Sequence, residues 1–396
     1  MCYILFRVVI VLIYKTYKFR IYPDFEQSEL INKSIGSSRY IYNYFLNKKN
    51  TMYKELNINY PLKDMLLDLK ILESNYKWLK EVDSILLRKT LFNLDDAYNR
   101  FFKHLSDYPK YKKKGLNGSY QTNCIRSSYK GKNYENIKLD LIKKTIKLPK
   151  LGTIGIKGYR KITKINGRII NVTISKNANK YYANVLMEEI KEDSIIKGHR
   201  IVGLDLGIKD LVITSDGIKY KALNNIKKYE RKIKGLNRWL ARCERGSKNR
   251  IKVLIKLERV YKKLKNARKY YTDIITKRII ENYDYIFIED LSINKMIETA
   301  NHTLTKKIIN STLSEIVRKL EYKSKWEKKR LIKIDKYYKS SQICNACGSI
   351  NTKVKDLNVR EWKCMECKME HDRDINASIN ILFEGLKKYY KEEYGL

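Results

Sequence analysis

Four of the seven cysteines crowd into 24 residues near the C-terminus, as Cys344-Asn-Ala-Cys347-Gly348 and Cys364-Met-Glu-Cys367, with 16 residues between the pairs. Two Cys-x-x-Cys knuckles at that spacing can present four thiolates to one tetrahedral Zn2+, and Gly348 lets the first knuckle turn. One structural zinc ion is therefore expected on Cys344, Cys347, Cys364 and Cys367. His371 lies close by, but four thiolates already fill a tetrahedral ion, so it is not assigned as a ligand. Cys2, Cys124 and Cys243 stand alone. An odd number of cysteines, not spread as a disulfide framework, points to an intracellular protein that is not secreted.

A second group of residues could do chemistry on phosphate esters. Asp205 sits between Leu204 and Leu206 in the apolar run Arg200-Ile-Val-Gly-Leu-Asp-Leu-Gly207. A carboxylate in an apolar strand is costly unless it is paired, hydrogen-bonded or bound to a metal. Glu289 ends another apolar run, Tyr285-Ile-Phe-Ile-Glu289, with Asp290 beside it, and Asp374 starts the last helical segment near Asp372. Taken singly, Asp374 could cap its helix and Glu289 could be a strand-end residue. Taken together, three carboxylates suit Mg2+, which prefers oxygen ligands and keeps its waters. Two such ions, about 3.5–4 Å apart, stabilise the attacking and leaving oxygens of an in-line phosphodiester displacement. Asp290 and Asp372 are placed just outside the metal ligands.

The elements around these acids have a recognisable order. Residues 200–220 read as a first strand carrying Asp205 and two antiparallel strands, with Asp216-Gly217 as a hairpin turn. A basic helical stretch follows: residues 216–278 hold 22 Lys and Arg against 5 Asp and Glu. The run ending in Glu289 reads as a buried parallel strand. A helix marked by Leu313, Ile316, Val317 and Leu320 comes next, then a strand at Leu331–Asp335. After the cysteines, Ile375, Ile379, Leu382, Phe383 and Leu386 fall at helical spacing. This is the element order of a ribonuclease-H-like α/β domain. In that order the first and fourth strands are parallel neighbours, so Asp205 and Glu289 share one end of the sheet and the last helix carries Asp374 across to them.

Upstream, residues 26–50, 62–80 and 84–105 carry helical apolar stripes, with Ser84 as the expected cap of the third. Short strands separated by Gly- and Asn-containing turns occupy residues 118–195, and the alternating segment Tyr17-Lys-Phe-Arg-Ile-Tyr22 joins them. The expected fold is therefore multidomain, α+β and α/β. It comprises a small β-barrel (13–24 and 117–195) with an inserted helical bundle (25–116). The ribonuclease-H-like domain (196–338 and 371–396) follows, with an inserted zinc ribbon (339–370).

Lys and Arg total 84 against 43 Asp and Glu, a formal net charge of +41. Such a charge opposes compaction unless a polyanion neutralises it, so nucleic acid is the first expected partner. An AT-rich genome would account for the Ile and Asn, but not for that imbalance of sign. Disorder is excluded by 43% hydrophobic residues, and the 32 tyrosines offer flat faces for unpaired bases. Residues 2–14 are apolar apart from Arg7, shorter than the ~20 residues of a spanning helix, and lack a basic leader and a small-residue cleavage site. No membrane association is expected, and the first dozen residues read as an upstream start that adds little.

These residues resemble the TnpB family, the OrfB-type proteins of bacterial insertion sequences related to the compact type V CRISPR effectors. Tyr17-Lys-Phe-Arg-Ile-Tyr-Pro23 with Glu26-Gln27 is similar to the family's opening segment. Trp78-Leu-Lys-Glu-Val, Leu91-Phe-Asn-Leu-Asp-Asp-Ala97 and Tyr108-Pro-Lys-Tyr111 resemble its helical region. Gly203-Leu-Asp-Leu-Gly207 and Ile288-Glu-Asp-Leu291 through Met296 resemble the first two RuvC motifs. Ser340-Ser-Gln-Ile-Cys344 opens the ribbon, and His371-Asp-Arg-Asp-Ile-Asn-Ala377 resembles the third motif. The resemblance implies that Asp205, Glu289 and Asp374 are a RuvC catalytic triad. It implies an RNA-guided DNA endonuclease with Mg2+ as cofactor, a guide RNA and double-stranded target DNA as partners, and a separate transposase from the same element. Pairing would read the target once the protein has read a short adjacent motif. Lys339 stands where the family often has Pro, Lys368 where it often has Gly, and the apolar first dozen is atypical. Strand-transfer transposases order their acids differently, and a tyrosine transposase needs histidines two residues apart, which the four here never are. A nuclease-silent DNA- or RNA-binding regulator of transposition is the alternative.

Counterion release makes affinity for a polyphosphate fall with salt. Nucleic-acid binding should weaken at least about tenfold between about 50 and 200 mM NaCl. A filter-binding or anisotropy titration checks this; a flat response would contradict extended backbone contact.

Overall fold

The computed structural model describes residues 11–129, 132–158, 167–178, 180–191, 199–223, 226–291, 296–298, 301, 305, 308–309, 311–356 and 359–395. Residues 1–10, including Cys2, lie outside them. The chain divides into two compact units, residues 1–193 and 194–396.

The first unit is built on a seven-stranded sheet with strand order β2-β8-β9-β1-β7-β6-β5. Its strands are β1 (Val11–Tyr22), β2 (Asn117–Asn123), β5 (Lys138–Asp140), β6 (Thr145–Leu148), β7 (Gly152–Gly158), β8 (Gly167–Asn177) and β9 (Lys180–Lys191), all antiparallel. β3 (Arg126–Tyr129) and β4 (Lys132–Glu135) form a separate hairpin. The strand order is open, from β2 at one edge to β5 at the other. β1 begins at Val11 and runs against β9 to Lys191, with Ile13, Phe19 and Ile21 buried at odd positions. The apolar dozen, expected to add little, thus contributes its last two residues to the sheet, because Val11 and Leu12 continue the register opposite Lys191 and Ile190.

Between β1 and β2 lie α1 (Phe25–Leu56), α2 (Leu62–Asn75) and α3 (Ser84–Phe102). Asp24 and Gln27 close a capping box at the start of α1, and Asn57 ends it in the left-handed region at φ 53°. Asp83, not Ser84, caps α3. An N-cap needs extended backbone, which Asp83 has, and its carboxylate accepts from the Ile85 amide and from the buried Thr122 hydroxyl. Phe45, Leu69, Leu87 and Leu91 from the helices join Ile21, Ile146 and Val185 from the sheet in one core.

The second unit centres on a five-stranded sheet of order β12-β11-β10-β13-β14. It contains β10 (Ile201–Asp205), β11 (Asp210–Thr214), β12 (Lys219–Lys221), β13 (Tyr285–Glu289) and β14 (Arg330–Ile334). The first three are antiparallel, while β10, β13 and β14 run parallel. The Asp216-Gly217 turn joins β11 to β12, with Gly217 at φ 88°. α4 (Ile226–Arg242) and α5 (Lys248–Asn282) carry the basic stretch, and α6 (Leu313–Glu327) follows β13. Two short strands, β15 (Glu361–Lys363) and β16 (Glu370–Asp372), pair beside the cysteines before α7 (Arg373–Tyr394).

Strand alternation assigns the two faces of this sheet. Val202, Leu204, Ile286 and Ile288 pack with Ile275 and Ile279 of α5 and with Ile316 and Leu320 of α6. Lys319 fastens α6 to α5: its buried ammonium pairs with Asp273 at 2.9 Å and Glu315 at 3.0 Å. Phe287 faces the other way, onto Ile381, Leu382 and Leu386 of α7. Gly203 shares that face, and α7 presses so closely that a Cβ there would overlap the Ser378 carbonyl oxygen; one at Gly385 would overlap the Phe287 ring. These two glycines let helix and sheet meet at backbone distance.

Gly203→Ala should therefore push α7 off the sheet and destabilise this unit by about 1–3 kcal/mol, the usual cost of overpacking. Denaturant unfolding measures it; an unchanged midpoint would contradict the close approach.

Candidate active site and metal centre

The same alternation that puts Gly203 and Phe287 under α7 puts Asp205 and Glu289 there too, two residues further along each strand. β10 and β13 are parallel with Leu204 opposite Ile288, so the two carboxylates leave the same end of the sheet as neighbours. Asp374 comes to them from the first turn of α7, whose N-cap is Asp372. Segments 84 and 85 residues apart in the chain thus deliver acids to one place.

The electrostatics record the convergence. Burial, then the charge of Glu289, then that of Asp374 push the Asp205 carboxyl up to about 7. Burial also raises Glu289, partly offset by the Ser340 hydroxyl, which donates to Glu289 Oε1 at 2.5 Å. Arg360 donates to both oxygens of Asp374, at 3.0 and 3.3 Å. The two acids placed just outside the ligand set have other partners. Asp372 accepts from the Asp374 and Ile375 amides and pairs with Lys219 at 2.5 Å; burial pushes it up, but these contacts hold it below the ordinary carboxylate value. Its part is to start the helix that carries Asp374. Asp290 is exposed and lies 3.7 Å from Lys333.

The four cysteines form the tighter cluster. The sulfurs of Cys344, Cys347, Cys364 and Cys367 all lie within 4.8 Å of one another, a spacing and donor set that fit a single tetrahedral Zn2+. Among the described residues no set of three or more carboxylates, Asp205, Glu289 and Asp374 included, has oxygens that all lie that close to one another. The two knuckles have the same backbone bonds. The Gly348 amide donates to the Cys344 carbonyl at 2.8 Å, and the Lys368 amide to the Cys364 carbonyl at 3.1 Å. Gly348 and Lys368 both adopt positive φ, 79° and 63°, so Lys368 holds a conformation that favours glycine. The Ser349 hydroxyl pulls the Cys347 and Cys364 thiols down, toward the thiolate that binds metal. His371 is buried, which lowers its imidazole from the ordinary value; its Nε2 lies 3.1 Å from Cys344 Sγ and its ring against Trp362. Cys124 and Cys243 lie apart from this group.

Three contacts had no signal in the sequence. Arg360 lies in a stretch without periodicity, Lys219 looks like any surface cation, and Ser340 was part of a motif without a role. Asn376 likewise sits inside the last motif, and its task is visible only from its bonds to the first knuckle.

Family models match residues 13–57 ("Helix-turn-helix domain"), 184–300 ("Probable transposase") and 314–381 ("Cas12f1-like, TNB domain"). Residues 13–57 fold as strand β1 and the single helix α1 rather than as two helices about a turn. The "Putative RNA-guided DNA endonuclease InsQ" of Escherichia coli K12 is 28% identical over 387 residues, covering 94% of this chain and 92% of its own. A "Putative RNA-guided DNA endonuclease" of Streptomyces pristinaespiralis is 29% identical, covering 94% and 89%. Among solved structures, Cas12f1 from a complex with sgRNA and target DNA superposes with a TM-score of 0.56 over 93% of this chain and 98% of that one, at 14% identity. These matches support a TnpB-family protein, and the chain shares the mixed α/β fold of Cas12f1. No helix among the described residues is long and apolar enough to cross a membrane.

The Asp205 shift has a direct consequence. The folded chain keeps that proton up to about pH 7, whereas an unfolded chain releases it near 4. Stability is therefore lost as pH rises through that window. Asp205→Asn removes the penalty while keeping the shape. In Mg2+-free buffer at pH 8 it should melt about 2–4 °C or more above wild type, with a smaller gap at pH 5. Calorimetry checks this; a lower melting temperature at pH 8 would contradict it.

Proposed function

We propose that this chain is an RNA-guided, Mg2+-dependent DNA endonuclease of the TnpB type, encoded by a transposable element and cutting through a RuvC-like site made of Asp205, Glu289 and Asp374. The observation that carries the reading is the Asp205 carboxyl, half-buried at a strand end and raised by burial and by the charges of Glu289 and Asp374 from two distant segments. In an uncharged setting that arrangement is unfavourable, and a pair of divalent cations reverses its sign. The names of the relatives, which describe RNA-guided DNA endonucleases, point the same way.

In this reading the second unit is a ribonuclease-H-like RuvC domain (196–338 and 371–396) with a zinc ribbon (339–370) set into it. The first unit would be a β-domain (13–24 and 117–195), the open sheet described above standing where a barrel was expected, holding a helical recognition domain (25–116). Its basic and tyrosine-rich helices suit the guide RNA and its heteroduplex with double-stranded target DNA, recognised by shape and charge while pairing reads sequence. Bound Mg2+ would activate the attacking water and stabilise the leaving oxygen. Asp205 and Glu289 would hold that metal from the sheet and Asp374 from the helix. Arg360 would exchange Asp374 for a phosphate oxygen, since a guanidinium matches both anions. One Zn2+ on the four cysteines would keep the ribbon folded. The protein would work inside the cell, beside a separate transposase of the same element.

Co-expression with the flanking element DNA tests the reading. Purified protein should carry one discrete RNA whose end matches flanking sequence, and that complex should cut matching duplex DNA with Mg2+. Asp205→Ala should keep the RNA and lose cutting by at least about 10³-fold, the order expected when a transition-state contact is removed. Cutting that survives the substitution would place the activity elsewhere. A wild-type complex that holds RNA but never cuts would favour the silent regulator.

A further inference from the structure

We propose that residues 340–345, the strap leading into the first cysteine knuckle, are a positioning element for the carboxylate site, so that zinc occupancy of the ribbon sets the affinity of Asp205, Glu289 and Asp374 for divalent cations. This rests on the carboxylate reading above and extends it to residues with no role so far: Ser340, Asn376 and Asn380.

The strap is tied to two carboxylate carriers at once. At its start the Ser340 hydroxyl donates to Glu289 Oε1 at 2.5 Å, which restrains the carboxylate by one of its two oxygens. The Ser340 carbonyl in turn accepts from Asn380 Nδ2 at 2.7 Å. That same nitrogen and Asn376 Nδ2 both reach the Ile343 carbonyl, each at 2.7 Å. Asn376 Oδ1 then accepts from the Asn345 amide at 3.0 Å. Asn376 and Asn380 are one turn apart on α7, the helix that begins with Asp374, and are only 1% and 3% exposed. They grip the backbone on both sides of Cys344.

Five directional bonds, one buried and four part-buried, are more than packing requires. Two apolar side chains would fill the same space, whereas amides fix distance and angle. The other end of the ribbon reaches the site too: the Arg373 amide donates to the Arg360 carbonyl at 2.8 Å, and Arg360 reaches Asp374. Cys344 is the point where the strap joins the metal cluster. When its thiolate is held by zinc, Ile343 and Asn345 are held with it, and so are Ser340 and the Glu289 carboxylate. Without zinc the strap loses its anchor, and Glu289 loses the partner that orients it. Partners just beyond a metal's own ligands commonly change its affinity about 10–100-fold.

The test uses the full-length, zinc-loaded protein freed of nucleic acid, with Mn2+ as the probe and electron paramagnetic resonance of free Mn2+ as the readout. Zinc content is measured in parallel. Ser340→Ala should bind Mn2+ about 10–100-fold more weakly at unchanged zinc content, and Ser340→Thr should restore affinity. The Asn376→Ala/Asn380→Ala double variant and wild-type protein stripped of zinc by a thiol-directed mercurial should show the same loss. If the double variant does not fold, Ser340→Ala decides, because it leaves the bonds to the knuckle intact. Wild-type Mn2+ affinity in both Ser340→Ala and the zinc-stripped protein overturns the proposal, provided Asp205→Ala has lost it. Should Asp205→Ala also bind Mn2+ normally, the carboxylate reading itself fails, and the strap proposal with it.

Discussion

Like charges brought together repel, and in the second unit the half-buried Asp205 meets the charges of Glu289 and Asp374. Asp205, Glu289 and Asp374 each have easy alternatives in an unfolded chain, where water solvates them. In the fold, burial and mutual repulsion raise Asp205 to about 7. An arrangement that weakens the fold persists when something else depends on it. A divalent cation is the species whose affinity grows with each of these penalties, because its charge relieves all three together.

Several parts of the fold hold the arrangement in place. Parallel pairing of β10 with β13 keeps Asp205 and Glu289 in fixed register. The bare backbones of Gly203 and Gly385 bring α7 down onto that sheet, and Asp372 starts the helix at the position that presents Asp374. Asp374 sits in the first turn of α7, where the positive end of the helix dipole favours its charge. Arg360 and Ser340 each satisfy one carboxylate. The cysteine cluster is joined to this scaffold by hydrogen bonds, not merely appended between β14 and α7. The surplus of 41 positive charges acts on a different scale. Under the proposed function it would draw a polyanion, and the three acids would be the small negative point where that polymer meets metal ions.

Much of this was legible in the residues because strong local rules apply. Apolar runs of five with an acid at the end mark β10 and β13, and their alternation predicts which side chains share a face. Asp216-Gly217 marks the hairpin, and Gly217 does take the positive φ that such a turn requires. Cysteine spacing located a cluster whose sulfurs the structure brings within 4.8 Å. What remained hidden depends on long-range contacts. Ser84 satisfied the composition rule for a cap, but Asp83 has the extended backbone and a second partner in Thr122. Val11 and Leu12 looked dispensable because their partners lie about 180 residues away in β9. Arg360 carries no periodicity at all, and its meaning comes only from the distance to Asp374. Asp372 looked like a possible metal neighbour, and its place is set by two backbone amides and Lys219.

The central claim is that acids from three separate segments share a divalent cation. Anomalous diffraction at the manganese edge, from crystals of the protein soaked in Mn2+, tests it most directly. The account predicts a manganese peak bounded by the carboxylates of Asp205, Glu289 and Asp374, with Glu289 still held by Ser340. Manganese found only elsewhere, with those three side chains turned apart, would contradict it.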